Sequence, residues 1–203
     1  RLSRWVGSAG GQYALLCPLG ATPPGLPQEP SPYYASSRLW RSPLYLDVES
    51  VAGADGLGDG LISAIAAGRA LNASRLIDRD AVYALKRPVL EAAFARADAD
   101  PAFDRYRHEG GLWLERFAVW CALADRYGQS WYDWPDEYKR TDSPAVLEFA
   151  AQNLNAVAFH AWLQFQIDEQ LGRVQGAGLM HDLPIGFNSG GADGWVFQDY
   201  LAP

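Results

Sequence analysis

Two short apolar runs, Tyr13–Cys17 and Leu179–Leu183, stand near opposite ends of a 203-residue chain. Each reads as a buried strand, and each gives way at once to Pro, Gly, Ser and aromatic residues. The first leads into Pro18-Leu19-Gly20, then Ser31-Pro32-Tyr33, then Arg41-Ser42-Pro43-Leu44-Tyr45-Leu46-Asp47. The second carries His181-Asp182-Leu183-Pro184-Ile185-Gly186 and leads to Gly191-Ala192-Asp193-Gly194-Trp195. A strand that ends abruptly in a polar, aromatic loop is how a barrel enzyme builds its site. Between the two runs, helical periodicity extends with interruptions from Leu61 to Gln175. That block is too long for an ordinary crossover, so it predicts an inserted subdomain plus one barrel helix.

Local signals place the helices. Leu2, Trp5 and Val6 suggest a first helix that includes Arg1 and stops at Gly10-Gly11. Residues 19–37 form a Pro-rich loop whose prolines exclude helix and regular pairing. Leu39–Val48 reads as extended, and Gly53–Gly60 as a Gly- and Asp-rich loop. Asp78 and Asp100-Pro101 are helix starts, and so is Ser143-Pro144. Leu112–Tyr127 reads as an amphipathic helix stopped by Gly128. Ala156–Gln175 carries Val157, Phe159, Trp162, Leu163, Phe165, Ile167 and Leu171, apolar around much of its circumference, and should be well buried.

Composition narrows the partners. The net charge of −7 argues against nucleic acid or an anionic membrane. No apolar run is long enough to span a bilayer. Cys17 and Cys121, the only cysteines, sit in apolar runs without metal-type spacing. Both read as buried free thiols, which suits a reducing cytoplasm. The 8 Trp and 10 Tyr could serve a sugar site, but taken alone they favour core packing. No nucleophile elbow, phosphate loop or dinucleotide fingerprint is present.

The ordered motifs resemble the 4-α-glucanotransferases, or amylomaltases, of glycoside hydrolase family 77. Phe103-Asp104-Arg105-Tyr106-Arg107, Leu112-Trp113-Leu114-Glu115-Arg116-Phe117-Ala118, Trp131-x-x-Trp134-Pro135 and Val157-Ala158-Phe159-His160-Ala161 also fit. Ser42, where the family usually has Asn, and the short Gly176-Ala177-Gly178 link depart from its pattern. The resemblance implies an α/β fold. The chain would be a partial (β/α)8 TIM barrel, about strands 2 and 3, with a large mainly helical inserted subdomain. Residues 1–50 would be the first barrel segment with its Pro-rich loop. Residues 51–142 would be the helical insertion, and 143–203 a barrel helix, the strand bearing Asp182 and the following loop. The resemblance also implies a fragment running from Arg1 to Pro203, with the catalytic acids expected beyond Pro203.

The implied activity is transfer of α-1,4-glucan segments between maltooligosaccharides by a retaining mechanism without cofactor or metal. The alternatives are an α-amylase-clan glucan hydrolase and a non-catalytic glucan-binding or structural fragment. Tyr33 would stack on a glucose ring, although the local sequence alone favours a loop aromatic packed on Pro32 and Leu44. Asp182, at a strand end, would accept sugar hydroxyls or simply cap the next turn. Ser31 joins them as a substrate-binding candidate. Tyr33 and Asp182 are expected to converge on one concave surface, with loop 22–32 folded over it. His160 reads as a core histidine, His181 as a weak metal candidate without a third ligand, and His108 as exposed. Trp131 and Trp134 read as packing residues or a sugar platform.

Overall fold

The computed structural model describes residues 2–174 and 176–201. Arg1, the helix end expected at Gln175, and Pro203 lie outside the described residues.

The helices begin and end where side chains satisfy their free backbone groups. α1 spans Leu2–Ser8, α2 Asp59–Ala70, α3 Arg79–Arg96 and α4 Pro101–Tyr127. α5 spans Pro144–Gln152, α6 Leu154–Gly172 and α7 Ala192–Val196. Asp78 accepts the Ala81 N–H, Asp100 the Ala102 N–H and Ser143 the Val146 N–H, so all three expected caps form. Gly128, at φ 101°, closes α4. α4 is interrupted at Gly111, whose φ of 51° and ψ of −142° are open to glycine but strained for other residues. The segment after that break is the Leu112–Tyr127 helix expected from periodicity.

These helices make two apolar cores. α6 packs along α4, joining Phe117, Trp120, Leu123, Val157 and Ala161 with Phe149 of α5 and Trp195 of α7. In this core Trp134 lies between Trp120, at 6.1 Å, and Trp195, at 5.9 Å. Trp134 therefore packs; its indole N–H donates to the Gly128 carbonyl. The second core joins Leu90 and Ala93 of α3, Phe159, Trp162 and Ile167 of α6, and Leu46, Val51 and Ala54. Burial of Val157 and Phe159–Ile167 matches the apolar circumference of α6.

Four strands complete the described residues. β1, Tyr13–Leu16, pairs in parallel with β4, Gly178–His181, in register from Tyr13↔Gly178 to Leu16↔His181. A parallel pair requires a crossover, and here it contains the entire helical block. β2, Gly20–Ala21, pairs antiparallel with β3, Ser37–Arg41. Leu39–Val48 is thus extended only to Arg41, because Ser42-Pro43 starts a 3₁₀ turn over Pro43–Tyr45. Of the two runs expected to be buried, only Ala14 is. Tyr13 is 64% and Leu15 67% exposed, since among the described residues no third strand flanks the pair. Cys17, just past β1, is likewise exposed, while Cys121 on α4 is buried as expected.

Candidate functional site

Parallel pairing brings the C-terminal ends of β1 and β4 to one side. The Asp182 N–H extends the ladder by donating to Leu16 O at 3.0 Å, which sets Asp182 immediately after the strand end. Tyr33, 149 residues earlier, reaches the same point: its hydroxyl donates to Asp182 Oδ2 at 2.7 Å. The two predicted residues therefore converge in direct contact. The bond favours the neutral phenol, and the Asp182 charge adds to it, so the Tyr33 pKa is raised above the usual tyrosine value. Ser31 shapes the turn that presents Tyr33. Its Oγ accepts the Tyr33 N–H at 3.3 Å and its carbonyl accepts the Tyr34 N–H.

The loop before Ser31 is anchored away from the strands. The Gly25 N–H donates to the Tyr83 hydroxyl, and the Gln28 N–H to Asp80. The Gln129 amide donates to Pro24 O and Pro27 O. So the body of loop 22–30 packs on α3 and the end of α4, and only residues 31–33 come to the strand end. Tyr33 is half exposed, and the pair is open to solvent. The cavities of about 340 and 700 Å³ are lined by other residues, from α2 and α3 and from the end of α6. Tyr33 and Asp182 line neither of these cavities, and among the described residues no further strand flanks the β1–β4 pair beside them.

Two residues not named as site candidates support this point. Asp193, buried in the first turn of α7, accepts the Arg38 N–H at 2.8 Å. Burial raises its pKa, and the Arg38 and Ser37 hydrogen bonds oppose that rise. Arg38 donates to Ile185 O at 3.0 Å, and its guanidinium lies 5.0 Å from the Phe187 ring centre. The only local signal for Asp193 is the acidic residue in Gly191-Ala192-Asp193-Gly194-Trp195. Arg38 has no local signal at all.

His160 is a core residue, as expected. It is buried, and its Nε2 lies 2.9 Å from Asp125 Oδ2. Burial lowers its pKa, so it is held neutral, while Arg87 donates to Asp125 through its two terminal nitrogens, Nη1 and Nη2. His108 is exposed. Trp131 donates to Ser189 O at 2.9 Å, tying the helical block to the loop after β4. Among the described residues, no three His, Cys, Asp or Glu side chains are grouped to hold a metal ion. Nor is any helix among them long and apolar enough to cross a membrane.

The model of glycoside hydrolase family 77, described as 4-alpha-glucanotransferase, matches residues 1–203. The chain belongs to the 4-alpha-glucanotransferase family. It is 38% identical to the 4-alpha-glucanotransferase of Mycobacterium tuberculosis, over 99% of this chain and 31% of the relative. The Thermus thermophilus 4-alpha-glucanotransferase is 28% identical, over 98% of this chain and 40% of the relative. The amylomaltase structure from Corynebacterium glutamicum superposes with a TM-score of 0.77 at 29% identity, covering 97% of this chain and 28% of that one. The amylomaltase of Streptococcus agalactiae, solved in complex with acarbose, shares the fold with a TM-score of 0.72 at 19% identity. The chain thus spans less than half the length of these family members. The mostly helical α/β architecture is that of a part of an amylomaltase.

Proposed function

We propose that this chain forms a substrate-holding part of a 4-α-glucanotransferase that moves α-1,4-glucan segments between maltooligosaccharides. In this reading β1 and β4 are adjacent strands of a (β/α)8 barrel, about its second and third. Residues 51–142 are a helical insertion between the barrel segments 1–50 and 143–203. The reading rests on one observation in a chain of this family: the Tyr33–Asp182 hydrogen bond across 149 residues of sequence, at the end of two parallel strands.

The chemistry of the pair suits a sugar. The Tyr33 ring offers an apolar face to a pyranose. Because its proton goes to Asp182, the phenol oxygen is left to accept a sugar hydroxyl. The Asp182 carboxylate retains lone pairs for further hydroxyls, and charged acceptors make stronger hydrogen bonds than neutral ones. The Ser31 hydroxyl sets the turn and can donate to a sugar oxygen. In a retaining transfer one carboxylate attacks the anomeric carbon and a second protonates the leaving oxygen; a sugar hydroxyl then takes the place of water. Neither of those roles is assigned to residues 1–203; Tyr33 and Asp182 bind and orient.

The test is product analysis of the intact protein on maltotriose. Transfer converts two maltotrioses into maltopentaose and glucose. Maltose and glucose alone would mean hydrolysis, and no product with wild-type glucan affinity would mean a binding module.

A further inference from the structure

The strand ends do not by themselves account for the position of Asp182 relative to Tyr33. β4 stops at His181, and the residues after Asp182 run as an irregular loop with Leu183 and Ile185 exposed. Tyr33 likewise stands in a loop, before β3. What joins the two loops is a set of bonds between residues 35–38 and residues 185–193. The Asn188 N–H donates to Ala35 O at 2.8 Å, the Asp193 N–H to Ser36 O at 3.0 Å, and the Ala192 N–H to Ser36 Oγ at 2.9 Å. Gly191 permits the approach: a Cβ there would lie 2.7 Å from Ser36 Cα. Asp193 then takes the Arg38 N–H, fixing the base of the Arg38 side chain. From that base the guanidinium reaches Ile185 O and the face of Phe187.

We propose that Arg38, seated by Asp193, is a positioning residue that ties the Asp182–Phe187 loop to the segment carrying Tyr33. The inference rests on reading Tyr33 and Asp182 as substrate-holding groups. Arg38 acts through its contacts alone and has no role on the sugar. A guanidinium is well shaped for such a tie, because one planar group donates to a carbonyl and lies over an aromatic face at once. The direct charge pairing with Asp193 is secondary, since Arg38 Nε lies 3.9 Å from Oδ2 while the backbone bond is 2.8 Å. Removing the side chain frees Ile185 and lets Asp182 drift from Tyr33, with the helical cores untouched.

The experiment is an NMR titration of the intact protein labelled with ζ-¹³C tyrosine, the Tyr33 signal being assigned with Tyr33→Phe. In Arg38→Ala the Tyr33 phenol should ionise at lower pH than in wild type, approaching the ordinary tyrosine value of about 10. kcat/KM on maltotriose should fall roughly tenfold, the scale of a small misplacement. Arg38→Lys, which keeps the cation on a flexible stem, should recover part of both; it also decides the matter if Arg38→Ala does not fold. A Tyr33 titration unmoved in both variants overturns the proposal, whatever happens to the rate. A Tyr33 titration that moves while transfer is unchanged supports the tie and overturns the substrate-holding role of the pair.

Discussion

The helical block and the β1–β4 pair obey different terms. Trp120, Leu123 and Ala161 are entirely inaccessible in the block, whereas Tyr13, Leu15 and Met180 on the strands expose half or more of their surface. The block is held by the packing of α4 and α6 on each other and on α3, α5 and α7. The strand pair has one ladder, α1 beside it, and the bond between Ser3 Oγ and Ala177 O. Yet the functional candidates stand at the strand ends. The candidate site is anchored from elsewhere, through loops bonded to Tyr83, Asp80 and Gln129 of the block and through the Arg38–Asp193 contacts. Binding groups placed on loops over a packed scaffold follow the usual division of labour.

The difference can be broken most directly in the cores. Trp120→Ala should destabilise the protein by about 3–5 kcal/mol in urea unfolding, as for other buried aromatic deletions. A loss no greater than that of a surface change would show that the block is not the stabilising half. Trp120 carries a sharper variant of the same test. Its indole nitrogen is buried with no hydrogen-bond partner among the described residues, so Trp120→Phe should cost much less, because the orphaned donor disappears with the indole.

Next in size are the site residues. Tyr33→Ala should lower kcat/KM for maltotriose transfer in the intact protein by roughly tenfold, the equivalent of about 1.4 kcal/mol. Asp182→Asn should act in the same direction. Both should leave the urea midpoint near wild type, since neither residue is buried in a core. Rates unchanged in both variants would remove the pair from the site.

A smaller effect is expected from pH. Burial holds the His160 pKa below its usual value, so the unfolded chain binds its proton first as pH falls. Stability should therefore decline from about pH 6.5 downward and level off below the folded pKa of His160. Asp125 is also depressed: its bonds to His160 and Arg87 outweigh burial, so a second decline follows below about pH 4. His160→Gln should abolish the upper phase and leave the lower one. A single decline confined to the carboxylate range in wild type would contradict the assignment. Smallest of all, Leu15→Ala should change stability by less than about 0.5 kcal/mol. Hydrogen exchange should be fast over Tyr13–Leu16 and slow over the second half of α4. Equal protection of the two would erase the contrast.

Much of the helical block was legible in the sequence because its signals are local. Asp78, Asp100-Pro101, Ser143-Pro144 and Gly128 act on backbone groups within one turn, so their meaning does not depend on the rest of the fold. The apolar circumference of α6 likewise stated its burial. The strand runs misled for a physical reason: an apolar run announces a face that can be buried, not a neighbour that buries it. Tyr13, Leu15 and Cys17 have such faces and remain open among the described residues.

By itself, then, the sequence determined the helices, their caps and the order of motifs that marks the family. It also named Tyr33 and Asp182 as residues to watch. Only the tertiary structure decided that they touch, that Ser31 serves the turn beneath Tyr33, and that Asp193 seats Arg38. The Tyr33–Asp182 and Arg38–Asp193 contacts join residues 149 and 155 positions apart. Their geometry is set by how the β1–β4 register and the helical crossover bring distant loops together. No property of either segment alone encodes that placement.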